Sequence, residues 1–140
     1  MSTLTTRNQL EGKVTSVITG NVMAEVKVDV QGDEFVAAVT SHSVERLDLS
    51  EGDTVTVLIK ATEVMLAKSS NPLEGLSTRN QIKGTVASVT SGSVMAEVAI
   101  DVSGGKLVAA VTKNSVERLR LAKGDDVVVL IKATEVMLAK

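Results

Sequence analysis

The sequence contains no cysteine, tryptophan or tyrosine, and only one phenylalanine, one histidine and one proline. Without cysteine it forms no disulfide and no thiolate metal site, which fits a reducing compartment. One histidine is too few for ordinary zinc or copper sites, and no serine lies in a nucleophile elbow. The composition therefore argues against an enzyme and against direct ligation of a metal by the protein.

The low aromatic content and the lack of known binding and targeting segments exclude further classes of protein. Aromatic residues make up 1% of a chain whose net charge is −2, whereas single-strand nucleic-acid binders stack bases on aromatic rings in basic grooves. No phosphate-binding P-loop motif occurs. The first residues lack a basic and then apolar signal segment, and no apolar run has the length of a membrane span. We expect a cytoplasmic protein that binds neither nucleic acid nor membrane.

An internal repeat organises the chain. Each residue of the second copy is numbered 72 higher than its counterpart, as Arg79 is to Arg7, and about two-thirds of the paired positions are identical. We predict one module over residues 1–68, a linker over 69–75 that contains Pro72, and a second module over 76–140. Because so small a module is rarely stable alone, each is expected to pack against another.

The hydrophobic pattern predicts an all-β fold. Val22 to Val30 alternates apolar and polar residues over nine positions, as a half-buried strand does. The other predicted strands of the first module lie at 12–17, 35–39, 54–60 and 62–67. The segment Ser43 to Leu49 breaks the alternation and predicts a short helix, with a capping box between Asn114 and Glu117 in the second copy. Five short strands with one helix after the third match an OB-like β-barrel.

The polar residues that recur in both copies are candidates for an anion site. Arg7 and Arg79 each carry a fixed charge and five N–H donors. Hydroxyl and ammonium groups add to this set: Thr5, Thr6, Thr40, Ser43, Lys60, Ser77, Thr78, Thr112, Ser115 and Lys132. A donor-only set suits a fully deprotonated tetrahedral dianion better than hydrogen phosphate, whose proton needs an acceptor. The competing interpretation is that the lysines reach into solvent and that the Thr and Ser side chains cap the helix.

Two other recurring features have simple structural interpretations. Met23, Met65, Met95 and Met137 occupy equivalent positions, which we interpret as core packing. Glu25 and Asp29 point to one side of a predicted strand, which we interpret as a solvated face.

The segments TTRNQLEGKV and STRNQIKGTV resemble the opening motif of the Mop module, and the following segments resemble that module too, over nearly the whole chain and twice. The tandem arrangement is similar to the di-Mop, ModG-type molybdate-binding proteins. The resemblance implies OB-like barrels, a homotrimer of six modules, and molybdate or tungstate held by hydrogen bonds at module interfaces, with no organic cofactor. The usual residue before the motif arginine is alanine, whereas this chain has Thr6 and Thr78.

Carried over position by position, the resemblance implies an anion-binding set in each module. The implied residues are Thr5, Arg7, Asn8, Thr40, Ser43, Lys60 and Ala61, and then Ser77, Arg79, Asn80, Thr112, Ser115, Lys132 and Ala133. The expected function is storage, buffering and homeostasis of molybdate or tungstate. The alternative is a structural or protein-interaction module that binds no anion.

Overall fold

The computed structural model describes residues 3–140, and the two sequence repeats fold alike. The first copy forms strands β1 (Asn8–Thr19), β2 (Met23–Val30), β3 (Asp33–Thr40), β4 (Thr54–Ile59) and β5 (Met65–Ala67), with helix α1 (Ser41–Leu47). The second forms β6 (Asn80–Ser91), β7 (Met95–Val102), β8 (Gly105–Thr112), β9 (Asp126–Ile131) and β10 (Met137–Ala139), with helix α2 (Lys113–Leu119). A 3₁₀ turn precedes each last strand, at Ala61–Glu63 and Ala133–Glu135. The predicted all-β, OB-like fold with one short helix per module is confirmed.

The last strand of each module joins the sheet of the other. One sheet has the order β10-β4-β1-β2-β3, and the other has the order β5-β9-β6-β7-β8. Leu138 of β10 lies opposite Val57 of β4, and Leu66 of β5 lies opposite Val129 of β9. Each five-stranded sheet is therefore complete only when both modules are present.

Lysines at the ends of the exchanged strands reinforce this exchange. The Lys140 ammonium donates to the main-chain oxygen of Asp48 at 2.6 Å and lies 3.0 Å from the Asp53 carboxylate. Its counterpart Lys68 donates to the main-chain oxygens of Leu119 and Arg120, both at 3.2 Å. These cations lie at helix carboxyl ends, where the unpaired carbonyls favour positive charge.

The core runs through both modules as one apolar cluster. Val26 and Val28 of β2 are fully buried, as are Val98 and Ile100 of β7, which confirms the predicted alternation. Val22 is 72% exposed because β2 begins one residue later, so the prediction was one residue too long at that end. The glycine of the opening motif is also explained by packing: a Cβ at Gly12 would lie 2.6 Å from the Asp29 carbonyl oxygen.

The helices begin two residues earlier than predicted. The Thr40 hydroxyl accepts a hydrogen bond from the Ser43 main-chain N–H at 3.1 Å, which makes Thr40 the N-cap, and Thr112 does the same with Ser115. The predicted capping box is therefore wrong, because Asn114 already lies inside α2. In the described part of the chain, no helix is long and apolar enough to cross a bilayer.

The strand exchange can be tested by a proline substitution in β10. Leu138→Pro should deprotect the amides of β4 in the first module, because proline cannot donate to a strand ladder. We expect hydrogen exchange in peptides covering Thr54–Ile59 to accelerate about tenfold or more, measured by mass spectrometry. Leu66→Pro is the matched control and should instead deprotect Asp126–Ile131. Deprotection of β9 by Leu138→Pro would show that the strands are not exchanged.

Candidate functional site

The opening motif of each module lies beside the end of its fourth strand. Asn8 is opposite Ile59 in the β1–β4 ladder, so Arg7 and Lys60 lie at the same end of this strand pair. We call residues 5–8 with 60–61 lip 1, and the equivalent residues 77–80 with 132–133 lip 2. Each lip thus combines the predicted motif residues with the predicted lysine and alanine.

The lips present their donors to solvent. Thr5, Arg7 and Lys60 are exposed, Thr6 and Ala61 are half-buried, and lip 2 repeats this pattern. The Gln9 side chain donates to the Thr6 main-chain oxygen at 2.9 Å and so fixes the turn of lip 1. In lip 2 the equivalent Gln81 instead exchanges two hydrogen bonds with the main chain of Leu73 in the linker. Lip 1 is therefore fixed by a hydrogen bond from the neighbouring glutamine, whereas the equivalent glutamine beside lip 2 binds the linker.

The asparagine of each motif joins the two modules. The Asn8 side chain donates to the Val108 carbonyl oxygen at 2.9 Å and accepts from the Val108 N–H at 2.7 Å. Asn80 makes the same pair with Val36, at 2.8 and 2.7 Å. Both asparagines are 1% exposed. Their contact with an anion stays a prediction, and their side chains are observed to anchor each lip to the other module.

The motif arginines pair with glutamates of the opposite module. One guanidinium nitrogen of Arg7 lies 2.7 Å from a Glu97 carboxylate oxygen. Arg79 binds both oxygens of Glu25, at 2.7 and 3.3 Å. The hydrogen bond from Arg79 lowers the pKa of Glu25, with burial acting against it, and the same bond raises the pKa of Arg79. The strand position of Glu25 suggested a solvated side chain. The structure shows instead that Glu25 is bound by Arg79 of the other module.

The helix-cap residues lie beside the other module's lip. Thr40 and Ser43 share a hydroxyl–hydroxyl hydrogen bond of 2.8 Å and line a groove of about 480 Å³. The same groove is lined by Thr134, which follows Ala133 of lip 2, and by Met137 of the exchanged strand. A smaller groove of about 270 Å³ places Ser115 with Thr62 and Met65.

Two composite sites result, each built from both modules. We define site A as lip 2 with Thr40, Ser43 and Glu25, and site B as lip 1 with Thr112, Ser115 and Glu97. Arg79 and Arg7 contact the two glutamates directly, and Thr134 and Thr62, each one residue beyond a lip, share a groove with Ser43 and Ser115. The competing interpretation, capping of the helices, holds for Thr40 and Thr112, whereas Ser43 and Ser115 lie inside the helices and line the two grooves. Sequence reasoning assigned Glu25 to a solvated face and did not consider Glu97, although both occupy the same place in the repeated segment VMAEV.

The predicted burial of the methionines is wrong. Met23, Met65, Met95 and Met137 are 40–45% exposed. Each methionine is the first residue of its strand, in β2, β5, β7 and β10. Met23 and Met137 also line the groove of site A. They add an apolar margin to the polar composite sites.

The carboxyl groups near these contacts predict acid sensitivity. A carboxyl with a lowered folded pKa stabilises the fold above its unfolded value, and this contribution is lost as the pH falls through the folded value. The hydrogen bond from Arg79 lowers the pKa of Glu25 from its ordinary value, and the hydrogen bond from Lys140 lowers the pKa of Asp53. Burial raises the pKa of Asp33, which has the opposite effect. We expect a net loss of unfolding free energy below about pH 4.5, measured by urea denaturation, and a smaller loss in Glu25→Gln. An unchanged acid response in that variant would contradict the assignment.

The functional groups of both sites are mainly cations and hydroxyls, with one carboxylate in each site. Each composite site supplies guanidinium, ammonium and hydroxyl groups, and within residues 3–140 no cluster of three or more metal-ligating side chains occurs. Fold and site together define a tandem pair of OB-like modules, joined by exchanged strands, with two quasi-equivalent polar sites between them.

Comparison with known proteins agrees with this class. The TOBE domain matches residues 4–66 and again 76–138. The crystal structure of the cytoplasmic molybdate-binding protein ModG, with molybdate bound, superposes with a TM-score of 0.91, at 36% identity over 97% of both chains. The chain therefore belongs to the TOBE-domain family, in its tandem di-Mop, ModG-type form.

Curated relatives extend the comparison. The molybdenum-pterin-binding protein MopB of Rhodobacter capsulatus and the molybdenum transport protein ModE of Herbaspirillum seropedicae are each 36% identical over 135 residues. These matches cover 95% of this chain and 50% of each relative. The chain thus spans about half the length of these relatives.

Proposed function

We propose that this protein binds molybdate and tungstate as intact tetrahedral dianions at composite sites A and B. Two observations support the proposal. The arginine and the lysine of each lip lie at the same end of one strand pair, and a groove beside the residue that follows each lip contains a hydroxyl of the other module's Thr–Ser pair. The likeness to ModG with molybdate bound supports the choice of ligand.

The donor chemistry favours a dianion without a proton. Arginine and lysine are donors only, and in each Thr–Ser pair the hydroxyl that accepts from its neighbour keeps its own hydrogen free to donate. Molybdate, tungstate and sulfate are fully deprotonated at neutral pH, whereas hydrogen phosphate carries a proton that would face these donors. We therefore propose discrimination against phosphate by its proton and against sulfate by its smaller size.

The biological role that we propose is storage and buffering of the oxyanion in the cytoplasm. The protein would act without catalysis, without an organic cofactor, and without nucleic-acid or membrane partners. We also propose that it assembles as a homotrimer of six modules, which would place further anion sites between subunits. The exposed methionines supply apolar surface for such an assembly.

One observation favours a second candidate. Both motif arginines are already paired with glutamates, so the sites can also be interpreted as contacts that only hold modules together. In that case the protein is an interaction module that assembles but binds no anion.

Isothermal titration separates the two candidates, since the chain has no tryptophan or tyrosine for fluorescence. Molybdate, tungstate, sulfate and phosphate are titrated into the protein, and the mass of the assembly is measured by light scattering. Saturable heat with the first two ligands and little with the others supports oxyanion binding. A folded assembly that gives no heat and retains no molybdenum supports the interaction module.

A further inference from the structure

The two ion pairs between modules have a consequence for the anion sites. In both, the arginine belongs to a lip and the glutamate comes from the second or seventh strand of the opposite module. Each pair is partly exposed, with 52% of both side chains accessible for Arg7–Glu97 and 48% and 32% for Arg79–Glu25. Exposed pairs of this kind contribute little to stability, because water and salt screen them. Holding the fold together is therefore a weak explanation for their presence in both copies.

The pairs differ in how fully they occupy the guanidinium. Glu97 accepts one hydrogen bond from Arg7, whereas Glu25 accepts two from Arg79. A guanidinium has five N–H donors in a planar fork that suits bidentate binding of one oxyanion. Arg79 thus has its fork engaged by a carboxylate, and Arg7 keeps more of its donors free.

We propose that Glu25 and Glu97 act as internal counter-ions that compete with the oxyanion for Arg79 and Arg7. The inference rests on the proposed function and adds how the affinity of its sites is set. A dianion that binds the guanidinium lies close to the carboxylate, and the two negative charges repel each other. Without ligand, each carboxylate neutralises an arginine that would otherwise face solvent alone.

The difference between the pairs makes the two sites unequal. An anion at site A must displace or share a bidentate carboxylate that is the more buried of the two. An anion at site B meets a single hydrogen bond between more exposed groups. Site B is therefore the tighter site in the unmodified protein, and site A holds ligand that is released first.

The test compares Glu25→Gln, Glu97→Gln and the double variant with the unmodified full chain by molybdate titration. Glutamine keeps the length and an accepting oxygen but removes the charge. Each single variant should tighten one class of site roughly tenfold, as expected for removing one charge near a dianion, and Glu25→Gln should bring the two classes closer together. Structural damage would weaken binding, so a gain in affinity at one class of site distinguishes the proposal from a merely structural role.

The matched control is Asp29→Asn, which changes the net charge equally at an exposed position of β2 and should leave both affinities within about twofold. Unchanged or weaker binding in the glutamate variants, with a ligand-binding unmodified protein, overturns the inference alone. Binding by the double variant and not by the unmodified protein supports the inference and overturns the storage function. If neither the unmodified protein nor any variant gives heat on titration with molybdate, both the inference and the proposed function are overturned.

Discussion

Replacing Arg7 and Arg79 together by alanine is expected to weaken molybdate binding about 100-fold or more. Each arginine supplies the fixed charge of its lip, and hydrogen bonds to a charged group contribute about 1.5–3 kcal/mol each. Loss of two such bonds per site is enough for this effect. The measurement is the same titration, with light scattering on the same sample.

Assembly and folding should survive the double arginine substitution. The ion pairs it removes are partly exposed and contribute about 0–1 kcal/mol each. The matched control replaces two other exposed cations, Lys13 and Lys123, by alanine, which makes the same change in net charge. Both lie near the starts of β4 and β9, at the far end from the lips, so binding should be unchanged. Retained affinity in the arginine variant would show that the anion binds elsewhere.

The second large effect concerns the buried asparagines. Asn80→Ala should lower the free energy of unfolding by about 3 kcal/mol or more, because it leaves the Val36 N–H and carbonyl buried without partners. Each orphaned main-chain group costs about 1–3 kcal/mol. The measurement is urea denaturation followed by far-ultraviolet circular dichroism. Asn8→Ala is the twin experiment on Val108, and Asn71→Ala in the exposed linker is the control.

A charged substitution tests the same contact more sharply. Asn80→Asp preserves the shape but places a carboxylate against the Val36 carbonyl oxygen in a buried position. Burial should raise the pKa of this carboxyl, and a raised pKa means that stability is lost as the pH rises through the folded value. The variant should therefore be nearer to the unmodified protein at about pH 4 than at pH 7. Equal destabilisation at both pH values would argue against the observed geometry.

Much of the fold follows from local patterns in the sequence. The alternation of β2 is strict, since Val26 and Val28 have a core on one side while Glu25 and Lys27 are only half-buried on the other. The break at SVERL predicts the helix in both copies, although its start is set by the hydroxyl of Thr40 rather than by apolar periodicity. The predicted division into residues 1–68, 69–75 and 76–140 stays a prediction about the sequence.

Local sequence patterns could not predict the exchange of the last strands. Residues 58–68 and 130–140 are identical in sequence, LIKATEVMLAK. Either last strand therefore presents the same side chains to either sheet, and local pattern carries no information on which pairing forms. The choice depends on the path of the linker and on contacts distant in sequence, such as Lys140 with Asp48.

The donor residues of the candidate site could be predicted from the sequence, but the residues they contact in the other module could not. Arg7, Lys60 and Thr40 can be recognised by type, because an anion site needs charge and directional donors. The burial of Asn8 and the pairing of Arg7 with Glu97 depend on how two modules pack. A polar residue next to a strand gives no local sign of whether it faces water, ligand or another module.

The exchanged strands also bear on how such a chain can change during evolution. Recombination between two similar repeats in a gene can delete one of them. The product here would be a single module that carries a last strand and lacks the one that completes its own sheet in the present arrangement. Because the two last strands are identical, two such chains could complete each other by the same exchange. Loss of the duplication would then turn an intramolecular pair into an obligate dimer without any new contact having to evolve.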